Sequence, residues 1–160
     1  MRFEKVIKEQ YTQGDKPGYC TYEEIKLPKR GTRLSAGYDI YSVCNFTLYP
    51  GDTITVPTGI KFKCDDDKFL LVVPRSGHGF KYGTMLVNTV GIIDADYYGN
   101  SKNDGHMYVK IHYPEHHING DPYVVNIGDA ICQGIISPYY KVDDDEADGI
   151  RDGGFGSTGN

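Results

Sequence analysis

The chain has 160 residues, of which 39% are hydrophobic and 24% charged, so it is long enough to bury the core of one ordinary globular domain. Its formal net charge of −5 disfavours proteins that grip duplex nucleic acid, because these usually carry a basic face. A small phosphorylated ligand stays compatible with this charge, since a few local cations and a metal would hold it. No stretch approaches the roughly 18 apolar residues of a membrane span, and the charged N-terminus does not resemble a signal peptide.

The four cysteines, at positions 20, 44, 64 and 132, are far apart and form no CxxC pair. Such spacing is typical of a reduced protein whose small thiols are buried. We therefore expect a cytoplasmic protein, or one in the host cytoplasm if a phage encodes it.

Apolar residues come in short β-branched runs bounded by Gly, Pro, Asn or Asp, which is typical of short strands joined by turns. In chain order the predicted strands are residues 38–42, 53–57 and 69–73 and, after a short helix over residues 75–82, residues 85–87, 107–112, 123–126 and 131–137. Many short strands with hardly a helix between them predict one all-β domain over residues 1–140, as a sandwich, barrel or jelly roll. Residues 141–160 change to an acidic run followed by glycines, and we expect a flexible C-terminal arm.

The stretch VGIIDADYYG, residues 90–99, runs from strand-like apolar residues into an acidic turn. In a hairpin, Asp94 and Asp96 would share a face, because alternate side chains of a strand do so. A carboxylate at a strand end can serve as a general base for a water bound with the substrate. The alternative, which this stretch alone favours, is a turn that simply uses Asp and Gly.

Two further motifs have both a structural and a functional interpretation. In PRSG, residues 74–77, Ser76 could cap the helix, or the hydroxyl, the free N–H groups and the Arg75 guanidinium could bind an anion. The tail matches GxGxxG over residues 154–159, but it opens no helix, so it fails as a dinucleotide fingerprint. Phe155 and Arg151 among the glycines would suit an arm that wraps phosphate, and a tail without function is an equally open alternative.

Metal sites are not indicated by the usual spacing rules. The histidines at positions 106, 112, 116 and 117 fit no tetrahedral pattern and have no cysteine nearby. The acidic runs at 65–67 and 143–146 lack the ligand order of an EF-hand, so we expect both to be solvated loops.

Five stretches, in this order, are similar to the motifs of the trimeric dUTPase family. They are residues 36–42 (AGYDIYS), 74–77 (PRSG), 91–99 (GIIDADYYG), 128–133 (GDAICQ) and 153–159 (GGFGSTG). Each motif alone is weak, but five in the family's order are specific. The resemblance implies a jelly-roll-like β-barrel of the β-clip type and a homotrimer in which a swapped C-terminal arm completes each site. It also implies hydrolysis of dUTP to dUMP and pyrophosphate with Mg²⁺.

The resemblance further implies the roles of individual residues. Asp94 would activate the attacking water, Gln133 would lie near the α-phosphate, and Asp39 would order the waters around Mg²⁺. Asp94, Arg75 and Gln133 would be the catalytic residues, and Arg75 would also bind the phosphate chain. The substrate-binding roles fall on three groups: Ser76 and Gly77 at the phosphates; Asn88, Gly91, Ile93 and Tyr97 around the uracil and deoxyribose; and Arg151, Phe155, Gly156, Ser157 and Thr158 in the arm.

The chain also departs from the family pattern. Ala130 stands where Arg is usual, Gly79 replaces a common Ala, and the spacing from Arg151 to Phe155 is one residue shorter than usual. Residues 100–106 look like an insertion that forms a surface loop, and the N-terminal lead over residues 1–30 is long. Two alternatives stay open: a dCTP deaminase of the same fold, and a dUTPase body that also binds a regulatory protein through this loop. We expect no nucleic acid or membrane partner.

Overall fold

The structure, a computed structural model, describes residues 1–116, 120–151 and 153. Within them the chain forms short strands, one α-helix and two turns of 3-10 helix, Lys8–Gln10 and Ala95–Tyr97. The strands are β1 (Arg2–Lys5), β2 (Lys29–Arg30), β3 (Gly37–Tyr41), β4 (Phe46–Leu48), β5 (Thr53–Pro57), β6 (Ile60–Lys63), β7 (Lys68–Pro74), β8 (Met85–Leu86), β9 (Gly91–Asp94), β10 (Tyr108–His112), β11 (Tyr123–Val125) and β12 (Ala130–Pro138). The helix α1 is Ser76–Tyr82.

A five-stranded antiparallel sheet, in the order β2-β3-β12-β7-β9, carries the predicted site residues Asp39, Gly91, Ile93, Asp94 and Gln133. Along β7, Leu70 and Val72 are buried, whereas Phe69, Leu71 and Val73 are only half-buried. This alternation places one face of the sheet in the core and leaves the other face open, as is common for antiparallel sheets.

The remaining strands pack around the buried face. A three-stranded sheet has the order β5-β10-β8, while β1 pairs with β6 and β11 with β4. Side chains from Val6 to Cys132 meet in the core, including the fully buried Phe62, Tyr113 and Tyr123. Among the described residues, no helix is long and apolar enough to cross a membrane.

The predicted all-β class is confirmed, and all seven predicted strands are present with bounds within one residue of the prediction. The predicted helix begins one residue later, because Arg75 has extended backbone angles and is the N-cap. No side chain caps this helix, so the capping role considered for Ser76 is wrong. Gly83 ends the helix in the left-handed region at φ 65°.

The sequence did not predict β1, β2, β4 or β6, and for β9 it indicated only strand-like residues that end at Asp94. Residues 1–30 are more than a lead, because they form β1 and β2 and bury Val6, Tyr11, Cys20 and Ile25. In β6, Lys61 is 7% exposed and forms an ion pair with Asp104, whose carboxylate oxygen lies 2.7 Å away. A buried lysine interrupts the apolar pattern by which a strand is recognised.

Candidate active site

Three neighbouring strands bring together the residues predicted to meet the phosphates. Asp39 on β3 lies opposite Gln133 on β12, which lies opposite Val73 on β7. Residues directly opposite each other on antiparallel strands share a face, so Asp39 and Gln133 both project from the open side of the sheet. Arg75, just beyond β7, places its Nε 3.1 Å from Oδ1 of Asp39 as an ion pair. We call the three residues Asp39, Arg75 and Gln133 the phosphate group; the name denotes these protein side chains and not a phosphate of a nucleotide.

Backbone contacts hold two members of the phosphate group in place. The Gln133 amide donates a hydrogen bond to the carbonyl of Pro74 at 3.2 Å. A Cβ at Gly37 would lie 2.2 Å from Oε1 of Gln133, so any larger residue at position 37 would displace the end of this side chain. Arg75 also donates to the carbonyl of Ala130 at 3.4 Å. At this position, where the family pattern has an Arg side chain, Arg75 thus contacts the backbone.

The first turn of α1 borders the phosphate group. Ser76 and Gly77 are exposed there, and a Cβ at Gly77 would meet nothing within 4 Å. His78 follows, and its Nδ1 lies 2.8 Å from the hydroxyl of Tyr123. Burial and the neighbouring Arg75 both lower the pKa of His78, so the imidazole stays neutral and adds no positive charge to this turn.

The predicted uracil site is a small cavity of about 120 Å³ between β9 and β10. Its lining includes Asn88, Gly91 and Ile93, which the sequence predicts as substrate-binding, together with Val72, Leu86, Ile92 and residues 107–110. The turn before β9 is tight, since Thr89 has φ 64° and the Val90 N–H donates to the Asn88 carbonyl at 2.6 Å. The volume is several times what one water needs, so a small planar ring is a suitable occupant.

Asp94 ends β9 immediately beyond this cavity, and Arg151 covers its carboxylate. Nη2 of Arg151 donates a 2.6 Å hydrogen bond to Oδ2 of Asp94. Its Nε lies 2.9 Å from Oδ1 of Asp96, which is ion-pair distance although the N–H does not point at that oxygen. Asp96 lies in the 3-10 turn rather than in the strand, yet one guanidinium reaches both carboxylates, as their predicted common face requires.

Tyr97 follows in the 3-10 turn and is 4% exposed. The Arg151 guanidinium lies 5.7 Å from the centroid of the Tyr97 ring, so this ring and the Asp94 carboxylate border the same space. Burial raises the pKa of the Tyr97 hydroxyl, and this group stays protonated. The hydroxyl donates to the carbonyl of His106 at 2.9 Å and accepts from the amide of Asn103 at 2.8 Å.

The loop over residues 100–106 is therefore not simply a surface loop. Ser101 and Lys102 are exposed, but Asn100, Gly105 and His106 are buried. The sequence did not assign Asn103 to the site. A signal for such a role was present in the sequence, because a loop rich in Asn, Asp and Gly often forms hydrogen bonds between its side chains and the nearby backbone.

Within one chain, Asp94 is far from the phosphate group. Asp94 pairs with Phe69 on β7, whereas Gln133 pairs with Val73, further along the same strand. This offset amounts to about 13 Å along the strand, and the two spacings from β9 to β12 add about 10 Å across the sheet. The Cα atoms of Asp94 and Gln133 are thus about 16 Å apart, although both side chains project from the open face.

The structure brings most predicted site residues into two places, one at β9 and one at the phosphate group. Asn88, Gly91, Ile93, Asp94 and Tyr97 are on or next to β9, while Asp39, Arg75 and Gln133 form the phosphate group. Phe155, Gly156, Ser157 and Thr158 lie outside the described residues. Arg151 binds the carboxylates of its own chain, and its predicted contact with the terminal phosphates stays a prediction. Among the described residues, no three His, Cys, Asp or Glu side chains form a metal cluster.

A small pocket, a carboxylate at its edge and an arginine–glutamine group on the same sheet are features that an all-β nucleotide hydrolase requires. Comparison with known proteins narrows this class. Residues 23–159 match the family model described as dUTPase. The deoxyuridine 5'-triphosphate nucleotidohydrolase of Lactococcus lactis is 38% identical over 137 residues, which cover 84% of this chain and 89% of the relative. The chain belongs to the dUTPase family.

Solved structures agree with this assignment. The crystal structure of dUTPase from Streptococcus mutans matches with a TM-score of 0.71 and 31% identity, covering 89% of this chain and 99% of that one. A mutant dUTPase from phage phi11 of S. aureus, described for its coordination of a structural Mg(II) ion, has a TM-score of 0.62. It is 21% identical over 79% of this chain and 92% of that one, so it supports the fold alone.

Proposed function

We propose that this chain hydrolyses dUTP to dUMP and pyrophosphate by attack of water on the α-phosphate. The observation that carries the proposal is that one short strand, β9, holds both the ring pocket and the carboxylate. Gly91 and Ile93 line the pocket, and Asp94 follows directly. A base bound in the pocket would therefore fix the nucleotide at a set distance from the general base. The names of the relatives identify that nucleotide as dUTP.

Asp94, Arg75 and Gln133 have separate roles in this hydrolysis. Asp94 takes the proton of the attacking water, while the Arg75 guanidinium stabilises the negative charge that develops on the α-phosphate. Gln133, held by the Pro74 carbonyl, offers its amide to an α-phosphate oxygen. Water attacks directly, so the step needs no covalent intermediate on the protein.

Mg²⁺ fits the donor set of the phosphate group. Asp39 offers one partly exposed carboxylate next to Arg75, and magnesium is commonly held by one or two carboxylates together with water and substrate phosphates. Asp39 would hold the ion through water. When bound with the nucleotide, the ion neutralises charge on the triphosphate.

Each site is proposed to form between chains of a homotrimer. The gap of about 16 Å between Asp94 and Gln133 is too wide for both to act on one phosphate, since a general base must come within hydrogen-bond reach of the water. The open sheet face between them is apolar, with Ile92 59% exposed and Leu71 half-buried. Burying such a face against another copy would bring the Asp94 of one chain to the phosphate group of its neighbour.

Arg151 must leave Asp94 before this carboxylate can accept a proton. The guanidinium now holds Asp94 and Asp96, and the terminal phosphates of a nucleotide are a stronger anionic partner. Nucleotide binding thus moves Arg151 from the carboxylates to the phosphates, and the glycine-rich arm closes with it.

The test is pyrophosphate release from dUTP, dTTP, dCTP and UTP by the purified protein with and without Mg²⁺. The proposal expects release from dUTP alone at a high rate, and loss of that release with EDTA. Light scattering on the same sample gives the number of chains in the assembly. Equal rates with all four nucleotides, or ammonia release from dCTP, would overturn the assignment.

A further inference from the structure

We infer that the loop over residues 100–106 is a positioning element for Tyr97, and that Asn103 thereby sets how well the site distinguishes deoxyribose from ribose. The inference rests on the proposed function and on the family resemblance, which implies that Tyr97 packs on the deoxyribose and leaves no room for a 2′-hydroxyl. It assigns a role to an insertion that neither the pocket nor the phosphate group requires.

The loop holds Tyr97 at both ends of the residue. Asn103 Nδ2 donates to the hydroxyl at 2.8 Å, and this hydroxyl donates to the His106 carbonyl at 2.9 Å. At the backbone end, Asn100 Nδ2 donates to the Tyr97 carbonyl at 2.9 Å. A buried tyrosine with its hydroxyl paired as donor and acceptor has little freedom in either side-chain torsion.

Side chains of the loop also fix its own shape. Oδ1 of Asn100 accepts from the N–H groups of Lys102 and Asn103, each at 3.1 Å. Oδ1 of Asn103 accepts from Asn100 Nδ2 at 2.7 Å and from the Gly105 N–H at 3.1 Å. A Cβ at Gly105, where φ is 79°, would lie 2.9 Å from the Tyr97 carbonyl oxygen, so loop and tyrosine are in direct contact.

Long-range contacts then tie the loop to the body of the domain. The Asp104 carboxylate accepts from Lys61 Nζ at 2.7 and 2.8 Å and from the Ile7 N–H at 2.8 Å. His106 Nε2 accepts from the Gly59 N–H at 2.9 Å. Tyr97 is thereby connected through hydrogen bonds to β6 and to the N-terminal segment.

This rigidity matters because the Tyr97 ring can exclude the 2′-hydroxyl of a ribose only if the ring cannot move away from the sugar. The face of the Tyr97 ring borders the space next to Asp94 that Arg151 fills, which is where the sugar would lie. A ribose differs from a deoxyribose by one oxygen, and a tyrosine able to shift by a fraction of an ångström would accommodate it. The loop therefore supports specificity rather than the chemical step.

The experiment compares Asn103→Ala with the matched control Lys102→Ala, whose side chain is exposed on the same loop. Two ratios are measured for each protein: kcat/KM for dUTP over UTP, and kcat/KM for dUTP over dCTP. We expect Asn103→Ala to reduce the sugar ratio about tenfold, mainly through KM, while the base ratio stays at its wild-type value. The control should keep both ratios. A proportional fall in every rate, or an unchanged sugar ratio, would overturn the inference.

A second variant covers the case in which Asn103→Ala fails to fold. Tyr97→Phe removes the same hydroxyl contacts without disturbing the Asn100–Asn103 bonds, and it should lower the sugar ratio in the same way. In this background, adding Asn103→Ala should cost little more, because Asn103 acts through the lost hydroxyl. If the two substitutions lower the sugar ratio additively, Asn103 does not act through the Tyr97 hydroxyl.

Binding of dUDP and UDP separates failure of this inference from failure of the proposed function. Titration measures sugar discrimination without turnover, whereas pyrophosphate release tests the activity. If the wild type binds both diphosphates equally, the inference falls even where dUTP is hydrolysed. If it prefers dUDP and Asn103→Ala loses that preference, the inference stands even where pyrophosphate release is absent.

Discussion

At the scale of single residues, Asp94 and Asp96 offer a matched pair. Both carboxylates contact Arg151, but only Asp94 ends the strand that lines the ring pocket. Asp94→Asn should leave dUTP binding largely intact and lower kcat by a factor of about 10² or more, as loss of a positioned base does. Asp96→Asn should change kcat only a few-fold. Near-wild-type turnover by Asp94→Asn would remove this carboxylate from the mechanism.

His106 gives a prediction on stability rather than activity. Burial lowers its pKa to about 4 from 6.5, and the Gln10 carbonyl and Asp104 offset only part of that effect. The unfolded chain binds this proton more readily, so stability is complete above pH 6.5 and is lost as the pH falls towards 4. The free energy of unfolding should therefore decrease by about 2 kcal/mol between pH 7 and pH 5.

Urea unfolding of wild type and His106→Gln at those two pH values measures this contribution. Glutamine can still accept a hydrogen bond from the Gly59 N–H, but it does not titrate. The variant should lose about 2 kcal/mol less than the wild type over the same interval. The same loss in both proteins would place the titration elsewhere.

At the scale of elements, the cavity beside β9 leads to a prediction about the base. The cavity is small, about 120 Å³, and its lining includes Val72, Leu86 and Ile93, so we expect a 5-methyl group on the ring to overpack it. We expect kcat/KM for dUTP to exceed that for dTTP by well over tenfold. Comparable values for the two nucleotides would show that another surface binds the base.

The sequence predicted the strands that are marked by an apolar run between turn residues, and it missed strands that lack this pattern. The predicted strands are apolar runs between turn residues, and all of them form. β2 has only two residues, both exposed, and β1 and β6 carry several charges. The positions of the site residues depend on β-pairing between distant parts of the chain, such as Asp39 with Gln133. Motif order identifies these residues, but spacing alone cannot give the distance between Asp94 and Gln133.

At the scale of the whole molecule, the C-terminal arm decides whether each site needs more than one chain. Residues 139–150 are exposed, and they lead to Arg151 at Asp94 of the same chain. The segment from residue 140 to residue 160 could extend about 60 Å, so it could also reach a neighbouring chain. A truncation that removes residues 151–160 should leave a folded assembly, since the part removed carries only one large apolar side chain, that of Phe155. It should lose most activity, because nothing then closes over the phosphates.

Mixing the truncated chain with the Asp94→Asn chain distinguishes the two arrangements. The truncated chain supplies an intact Asp94 and the other supplies an intact arm. If the arm serves the Asp94 of a different chain, mixed trimers contain complete sites, and partial activity should return once subunits exchange. If Arg151 must act with the Asp94 of its own chain, as in the contact at 2.6 Å, no complete site can form and the mixture stays inactive. We expect rescue, because the family resemblance implies a swapped arm and the segment from residue 140 is long enough to reach a neighbouring chain. Inactivity after demonstrated exchange, or full activity of the truncated protein alone, would contradict the swapped arm.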